Sequence, residues 1–121
     1  MLVQVNDRLR SRLRLNSVGV KEALEDFCRR HHLLSLAVFG SVLREEFRET
    51  GDNPSDIDVL VEIDPDHYPA WEYYTWGDEL SRIWERKTEV FTASELSKYF
   101  RDEVQREAVT LYEQERSSVT E

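Results

Sequence analysis

The sequence is poor in the residues that mark several large classes of protein. It contains one cysteine, Cys28, which excludes an internal disulfide and a zinc site built from cysteines. No apolar run approaches the roughly 18 residues of a membrane-spanning helix, and no apolar segment typical of a signal peptide follows the N-terminus. We therefore expect a cytoplasmic protein that does not enter a membrane.

The sequence also lacks an excess of basic residues. It has 25 Asp and Glu against 16 Lys and Arg, which gives a net charge of −9. An acidic chain repels the backbone of nucleic acids, so direct nucleic-acid binding is disfavoured. Residues 1–16 are the exception, because four arginines and one aspartate leave a net charge of +3 there. We predict that this basic arm is frayed and solvated, the alternative being a contact with phosphate or with an acidic partner.

The length of 121 residues is that of one domain. We expect a basic N-terminal arm over 1–16, one folded domain over 17–116 and a C-terminal tail over 117–121. The small size predicts that any second substrate comes from another macromolecule or is held by another subunit. Self-association is left open.

The pattern of apolar residues predicts alternating helices and strands. Helices are expected over 20–30 and 71–84, a helical turn over 42–47, and strands over 33–39, 56–63 and 87–91. A last helix is expected from about 92 onwards, with a stripe of apolar residues at helical spacing: Leu96, Phe100, Val104, Ala108 and Leu111. This order predicts an α/β (α+β) fold, with a small mixed β-sheet flanked by helices.

Three acidic residues stand at unusual places in this pattern. Asp56 and Asp58 open a strand and project from the same face, because side chains alternate along a strand. Glu89 lies within another short strand, where an acidic residue is unfavourable. Carboxylates placed close together repel each other, and Mg²⁺ relieves that repulsion. The three residues thus predict a magnesium site, the alternative being a solvated strand end.

A Gly-Ser turn follows the first predicted strand. Gly40 allows the backbone to approach a ligand closely, and Ser41 adds a hydroxyl donor. Arg44, one turn further on, can add a charge-assisted contact, although a surface salt bridge is an even alternative for it. The turn predicts a phosphate site facing the acidic residues, an arrangement suited to nucleotidyl transfer.

These motifs resemble those of the polymerase-β-like minimal nucleotidyltransferases, the MNT proteins encoded beside HEPN toxins. The matching segments are FGS at 39–41 with Arg44, SDIDVLV at 55–61, TEVFT at 88–92 and the stretch 92–113. The resemblance implies the polymerase-β-like nucleotidyltransferase fold, with the minimal domain over 17–116. It also implies that Asp56, Asp58 and Glu89 are catalytic residues that bind Mg²⁺, Glu89 also helping to deprotonate an acceptor. Gly40 and Ser41 would bind the triphosphate of ATP, with Arg44 beside them.

The resemblance further implies a function. The family includes antitoxins that transfer AMP from ATP to a tyrosine of a HEPN toxin and so block its RNase activity. Two alternatives are an antitoxin that neutralises the toxin by binding alone, and a nucleotidyltransferase that acts on a small molecule or a tRNA. Trp71 and Tyr74 are expected to point away from the core, where they either contact a partner or cover a neighbouring loop.

The sequence departs from the family pattern in three places. The spacer between Ser41 and Asp56 holds 14 residues and is longer than usual. We expect the loop 48–55 to absorb the extra residues without moving the strands. Glu45 stands where a glycine commonly follows the arginine, and Glu89 replaces the usual aspartate.

Overall fold

The fold is a four-stranded sheet with helices, seen in a computed structural model that describes residues 2–114. The predicted tail at 117–121 lies outside the described residues. The helices are α1 (Asp7–Arg12), α2 (Val20–Arg30), α3 (Trp76–Trp84) and α4 (Arg101–Glu107). The strands are β1 (Leu33–Phe39), β2 (Ile57–Ile63), β3 (Thr88–Phe91) and β4 (Val109–Glu113). Short 3-10 turns occupy Gly40–Leu43, Pro65–His67, Trp71–Thr75 and Ala93–Glu95.

The sheet has the strand order β3-β2-β1-β4. Strand β1 runs antiparallel to both β2 and β4, whereas β2 and β3 are parallel. Helix α3 lies in the connection between the two parallel strands, as such a crossover requires. The prediction of a small mixed sheet flanked by helices is confirmed.

The two faces of the sheet differ in character. On β2, the side chains of Ile57, Val59 and Val61 are buried in the core that the helices cover. The alternate residues Asp58, Leu60 and Glu62 are more exposed and lie on the opposite face, which we call the open face. This alternation is the one predicted from the sequence. None of the helices within residues 2–114 has the length and apolar character needed to cross a lipid bilayer.

The basic N-terminal segment is folded, so the prediction of a frayed arm is wrong for the part that the structure describes. Leu9, Leu13 and Leu15 are buried in the core, and Asn6 caps α1 by accepting a 2.8 Å hydrogen bond from the Leu9 amide. The amide of Val3 also donates a 2.7 Å hydrogen bond to the carbonyl of Leu111 in β4. The prediction rested on the arginines alone. The leucines between them form the buried side of a short amphipathic helix.

The predicted last helix is also wrong in extent. The chain forms a 3-10 turn at Ala93–Glu95, a short helix α4 and then the edge strand β4. Phe100, assigned to the buried stripe, is 60% exposed. The segment 109–113 reads VTLYE, a composition that favours a strand, and pairing with β1 satisfies its backbone. After Val104, the helical spacing of the apolar residues is therefore a coincidence and does not indicate a helix.

The long loop between the Gly-Ser turn and β2 is closed at its base. The amide of Arg48 donates to Ser55 Oγ at 2.8 Å, and the amide of Ser55 donates to the carbonyl of Arg48 at 2.9 Å. The guanidinium of Arg86 also donates to the carbonyl oxygens of Arg48 and Ser55. The extra residues therefore lie in a loop, as expected, and the two ends of this loop are hydrogen-bonded to each other.

Candidate active site

Gly40 and Asp58 make the closest approach in the candidate site. Gly40 follows β1 directly and has a φ of +77°, in the left-handed region that favours glycine. A Cβ atom at this position would lie 2.7 Å from Asp58 Oδ2. Any side chain would occupy the space between the turn and the carboxylate. The predicted phosphate turn and the predicted metal ligand therefore lie against each other, in a close approach that glycine permits.

The sheet aligns the acidic residues in the predicted way. Asp58 on β2 and Glu89 on β3 are register partners in parallel strands, so their side chains lie on the same face. Asp56 immediately precedes β2, and Lys87 Nζ lies 3.9 Å from its Oδ2. Lys87 was not among the predicted site residues; it partly offsets the negative charge of Asp56.

The environment of Asp58 makes its ionised form costly. Partial burial, followed by the negative charges of Glu89 and Asp56, raises the pKa of the Asp58 carboxyl from 3.8 to about 6. The two neighbours thus act electrostatically on Asp58, as expected for carboxylates gathered at one site. A bound cation would lower the cost of ionising Asp58.

These carboxylates are suited to Mg²⁺ but do not form a finished metal site. Within residues 2–114, no group of three or more His, Cys, Asp or Glu side chains is arranged to hold a metal ion. Hard oxygen donors, the crowded charge at Asp58 and the adjacent phosphate turn nevertheless match the needs of Mg²⁺, which takes few protein ligands and keeps water and phosphate oxygens. Asp58, Asp56 and Glu89 are the residues that would hold the ion.

The remaining predicted residues lie around the Gly-Ser turn. Ser41 Oγ is 3.5 Å from the carbonyl oxygen of Asp56, which links the turn to the start of β2. Arg44 is close to half-exposed and forms a 3.0 Å ion pair with Glu107 at the end of α4. The salt-bridge alternative for Arg44 is therefore the contact seen in the structure. The sequence analysis did not predict its partner, Glu107.

Glu107 is a site residue that the sequence analysis missed. Its Oε2 atom accepts a 3.4 Å hydrogen bond from the amide of Gly40. The signal for it lay in the strand-like segment 109–113, because pairing of that segment with β1 brings the preceding residues towards the end of β1. Because the sequence analysis predicted a helix for that segment, it did not predict that Glu107 lies next to Gly40.

Arg12 supports the backbone of the turn. Its buried guanidinium donates to the carbonyls of Val42 and Arg44, at 2.9 Å and 2.5 Å, and pairs with Glu49 at 2.9 Å. It also lies over the ring of Phe47, 5.0 Å from the ring centroid. Part of the unexplained basic segment thus fixes the backbone that carries Ser41 and Arg44. The sequence alone offered no signal for this role.

A cleft of about 400 Å³ continues along the open face beyond Asp58. Its lining includes Leu60 and Glu62 of β2, Thr92 after β3 and Ala108 after α4. Trp71 and Tyr74 are 74% and 81% exposed, so they point away from the core as predicted. The predicted acidic residues do not line this cleft, so it is a separate feature of the same face.

Comparison with known proteins identifies the family of the chain. Residues 22–117 match the family described as polymerase beta, nucleotidyltransferase. No curated protein is significantly similar to the chain.

Two solved structures share the fold. One, described as a minimal nucleotidyltransferase, is 24% identical with a TM-score of 0.60, and the match covers 80% of this chain and 93% of that one. The other, described as a nucleotidyltransferase from Sulfolobus solfataricus, is 19% identical with a TM-score of 0.50 over 92% of this chain and 91% of the other. At these identities the likeness establishes the fold.

Proposed function

We propose that this chain, which belongs to the polymerase beta nucleotidyltransferase family, transfers AMP from ATP to a tyrosine hydroxyl of a HEPN toxin and acts as its antitoxin. The observation that carries the transferase part is the opposition of Gly40 and Asp58. A backbone turn with donors for phosphate lies directly against a half-buried carboxylate, and the absence of a side chain at Gly40 permits that approach. This arrangement supports nucleotidyl transfer, in which phosphate donors and metal-binding carboxylates act on one substrate.

The residues of the site divide the work. The amide of Gly40, the Ser41 hydroxyl and the Arg44 guanidinium would orient the triphosphate. Asp58, Asp56 and Glu89 would hold Mg²⁺, which when bound neutralises the phosphates and activates the attacking hydroxyl. Glu89, exposed on the edge strand β3, would also accept the proton of the acceptor hydroxyl.

The identity of the acceptor is supported by surface chemistry and by resemblance. The net charge of −9 disfavours an RNA acceptor and leaves a protein hydroxyl as the better candidate. The open cleft and the exposed rings of Trp71 and Tyr74 offer amphipathic contacts to a protein surface. The resemblance of the site motifs to the MNT antitoxins supplies the HEPN toxin as the partner.

Label transfer tests this proposal. The chain, Mg²⁺, ATP labelled on the α-phosphate and the HEPN protein encoded by the neighbouring gene are mixed, and label on the toxin and its RNase activity are measured. The wild type is expected to label the toxin and stop its RNase activity. Asp58→Asn should do neither, whereas Asp52→Asn, a matched change in the exposed loop, should behave as the wild type.

The outcomes separate the alternatives. Toxin that is neutralised without label by both the wild type and Asp58→Asn would assign the chain to the antitoxins that act by binding alone. Label that enters a tRNA or a small hydroxyl compound, and never the toxin, would keep the transferase chemistry and reject the protein acceptor.

A further inference from the structure

Glu107 occupies the place where a nucleotide phosphate is expected. Its Oε1 atom lies 3.0 Å from Arg44 Nη2, and its Oε2 atom lies 3.4 Å from the amide nitrogen of Gly40. A carboxylate that bridges a backbone N–H and a guanidinium uses the same donors as a phosphate oxygen. The chain thus places an anion of its own on two of the groups assigned to the triphosphate.

The register of the sheet fixes this arrangement. Val38 of β1 pairs with Val109 of β4 in the antiparallel ladder. Continuing the same register by two positions brings Glu107 opposite Gly40. The pairing of two strands therefore brings the backbone of Glu107 next to the Gly-Ser turn, and its side chain completes the contact.

The surroundings of Glu107 show what holds its charge in place. Glu107 is the last residue of α4, an end of a helix at which a negative charge is unfavourable. Within residues 2–114 it contacts Arg44 and the amide of Gly40, and its side chain and that of Arg44 are 29% and 47% exposed. Both side chains reach solvent, so an incoming phosphate can replace the carboxylate without opening the core.

We propose that Glu107 is an internal competitor that holds the Gly40 amide and Arg44 until a triphosphate displaces it. Its presence lowers the affinity for nucleotide, and its release loosens the junction between α4 and β4. This inference rests on the proposed function in one respect, namely that the nucleotide phosphates bind Gly40 and Arg44. It makes Glu107 a determinant of nucleotide affinity, although the residue is not itself a ligand of the substrate.

Binding measurements on an isosteric variant test the inference. Inorganic tripolyphosphate and ATP are each titrated, with Mg²⁺ present, into the wild type, Glu107→Gln and Glu103→Gln. Glu103 is exposed on the same helix, so its variant removes the same charge without touching Gly40 or Arg44. Loss of a partly exposed ion pair should tighten binding of both ligands to Glu107→Gln by about three- to tenfold. Glu103→Gln should bind as the wild type does.

A second measurement reports the displacement itself. Amide hydrogen exchange at residues 105–111 should rise when tripolyphosphate binds the wild type, because Glu107 is released. In Glu107→Gln the same amides should respond little, since the contact is already weakened. Thermal unfolding of each variant checks that it is folded.

The opposing results are clear. Equal or weaker binding by Glu107→Gln would overturn the inference, as would an equal gain in Glu103→Gln, which would point to overall charge. Failure of all three proteins to bind tripolyphosphate would overturn it too. Tighter binding by Glu107→Gln without label transfer to the toxin would reject the proposed acceptor and leave this inference standing.

Discussion

Gly40 combines two requirements that no other residue type meets. Its φ of +77° favours glycine, and a Cβ atom would lie 2.7 Å from Asp58 Oδ2. Gly40→Ala should therefore displace either the turn or the carboxylate. We expect a loss of about 100-fold in transfer rate, the usual order for a misplacement of about 1 Å, and a loss of about 1–3 kcal/mol in the free energy of unfolding. Label transfer and denaturant unfolding measure the two effects.

Gly51 provides the matched control for this substitution. Its φ is +99°, but a Cβ atom there would meet nothing within 4 Å. Gly51→Ala should consequently share the cost in stability, about 1 kcal/mol of backbone strain, and keep the wild-type transfer rate. Comparable rates for Gly40→Ala and Gly51→Ala would show that the approach to Asp58 is unimportant for the chemistry.

The raised pKa of Asp58 makes the stability of the metal-free protein depend on pH. The folded-state pKa is about 6 and the ordinary value is 3.8, so between these values the folded protein binds more protons than the unfolded chain. The contribution of Asp58 to the free energy of unfolding is thus fully present below about pH 4 and is lost as the pH rises through about 6. Asp58→Asn removes this loss. We expect it to stabilise the protein by about 1 kcal/mol at neutral pH, a figure reduced for the partial exposure of Asp58, and to have no such effect near pH 3.5.

Denaturant unfolding in EDTA at a series of pH values measures this difference. Asp52→Asn, in the exposed loop, should track the wild type throughout. Mg²⁺ should stabilise the wild type at neutral pH and stabilise Asp58→Asn much less, because the variant lacks a ligand. A pH-independent difference between Asp58→Asn and the wild type would contradict the raised pKa.

At the scale of elements, α1 acts as a support for the phosphate turn. Arg12 is 9% exposed and donates to the carbonyls of Val42 and Arg44. Arg12→Ala removes the donor to both carbonyls and leaves that of Arg44 with the 3.4 Å hydrogen bond from the Phe47 amide, so it should lower the free energy of unfolding by about 2–4 kcal/mol and weaken nucleotide binding as the turn loosens. Arg12→Lys should restore little, because an ammonium group cannot reproduce the forked contacts.

Arg8 supplies the comparison for this element. It lies exposed on the same helix, and its single contact in the described residues is a 3.3 Å hydrogen bond to the carbonyl of Leu43. Arg8→Ala removes the same charge and should change stability by no more than about 0.5 kcal/mol. Denaturant unfolding and ATP titration decide the matter: equal effects at Arg8 and Arg12 would mean that the segment acts through charge alone.

The elements also show where prediction from sequence succeeds. The strand at Leu33–Phe39, the helix at Val20–Arg30 and the alternation along β2 were predicted because each carries a strong local period. Glu89 was expected to join Asp56 and Asp58 if its strand lay beside theirs, and the structure pairs Asp58 with Glu89 in neighbouring strands. These local signals were enough to assemble the acidic side of the site.

The errors have a different physical cause. Strand β4 exists because it pairs with β1, about 70 residues earlier, and that long-range pairing overrides helical spacing. Glu107 and Arg12 enter the site through contacts of the same kind, between segments far apart in sequence. Single-sequence periodicity carries no information on such pairs, so the phosphate side of the site was predicted less completely.

At the scale of the whole molecule, the acidic and the basic residues are distributed differently. The acidic residues gather around the site and over the surface, whereas the basic N-terminal segment is tied into the fold by ion pairs. Arg14 pairs with Glu85 at 2.9 Å, next to α3, and Arg12 pairs with Glu49. The net charge of −9 therefore conceals a local complementarity that attaches residues 2–16 to the rest of the domain.

The N-terminal segment is thus part of the folding unit, and its removal tests this conclusion. Leu9, Leu13 and Leu15 are 3%, 0% and 6% exposed. Burial of three leucines contributes about 6 kcal/mol, which is comparable with the entire stability of a typical domain, about 5–15 kcal/mol. The amide of Val3 also pairs with β4 at 2.7 Å and covers part of a sheet edge. A chain that begins at residue 17 should therefore show no cooperative thermal unfolding and should aggregate.

Charge and burial are separated by a full-length variant. Arg8→Gln with Arg14→Gln removes two positive charges from the segment but keeps its leucines, so it should unfold cooperatively within a few degrees of the wild type, as about 1 kcal/mol of lost ion pairing implies. Thermal unfolding followed by circular dichroism distinguishes the two chains. A shortened chain with the wild-type transition would show instead that the domain begins after residue 16 and that the buried leucines add little to it.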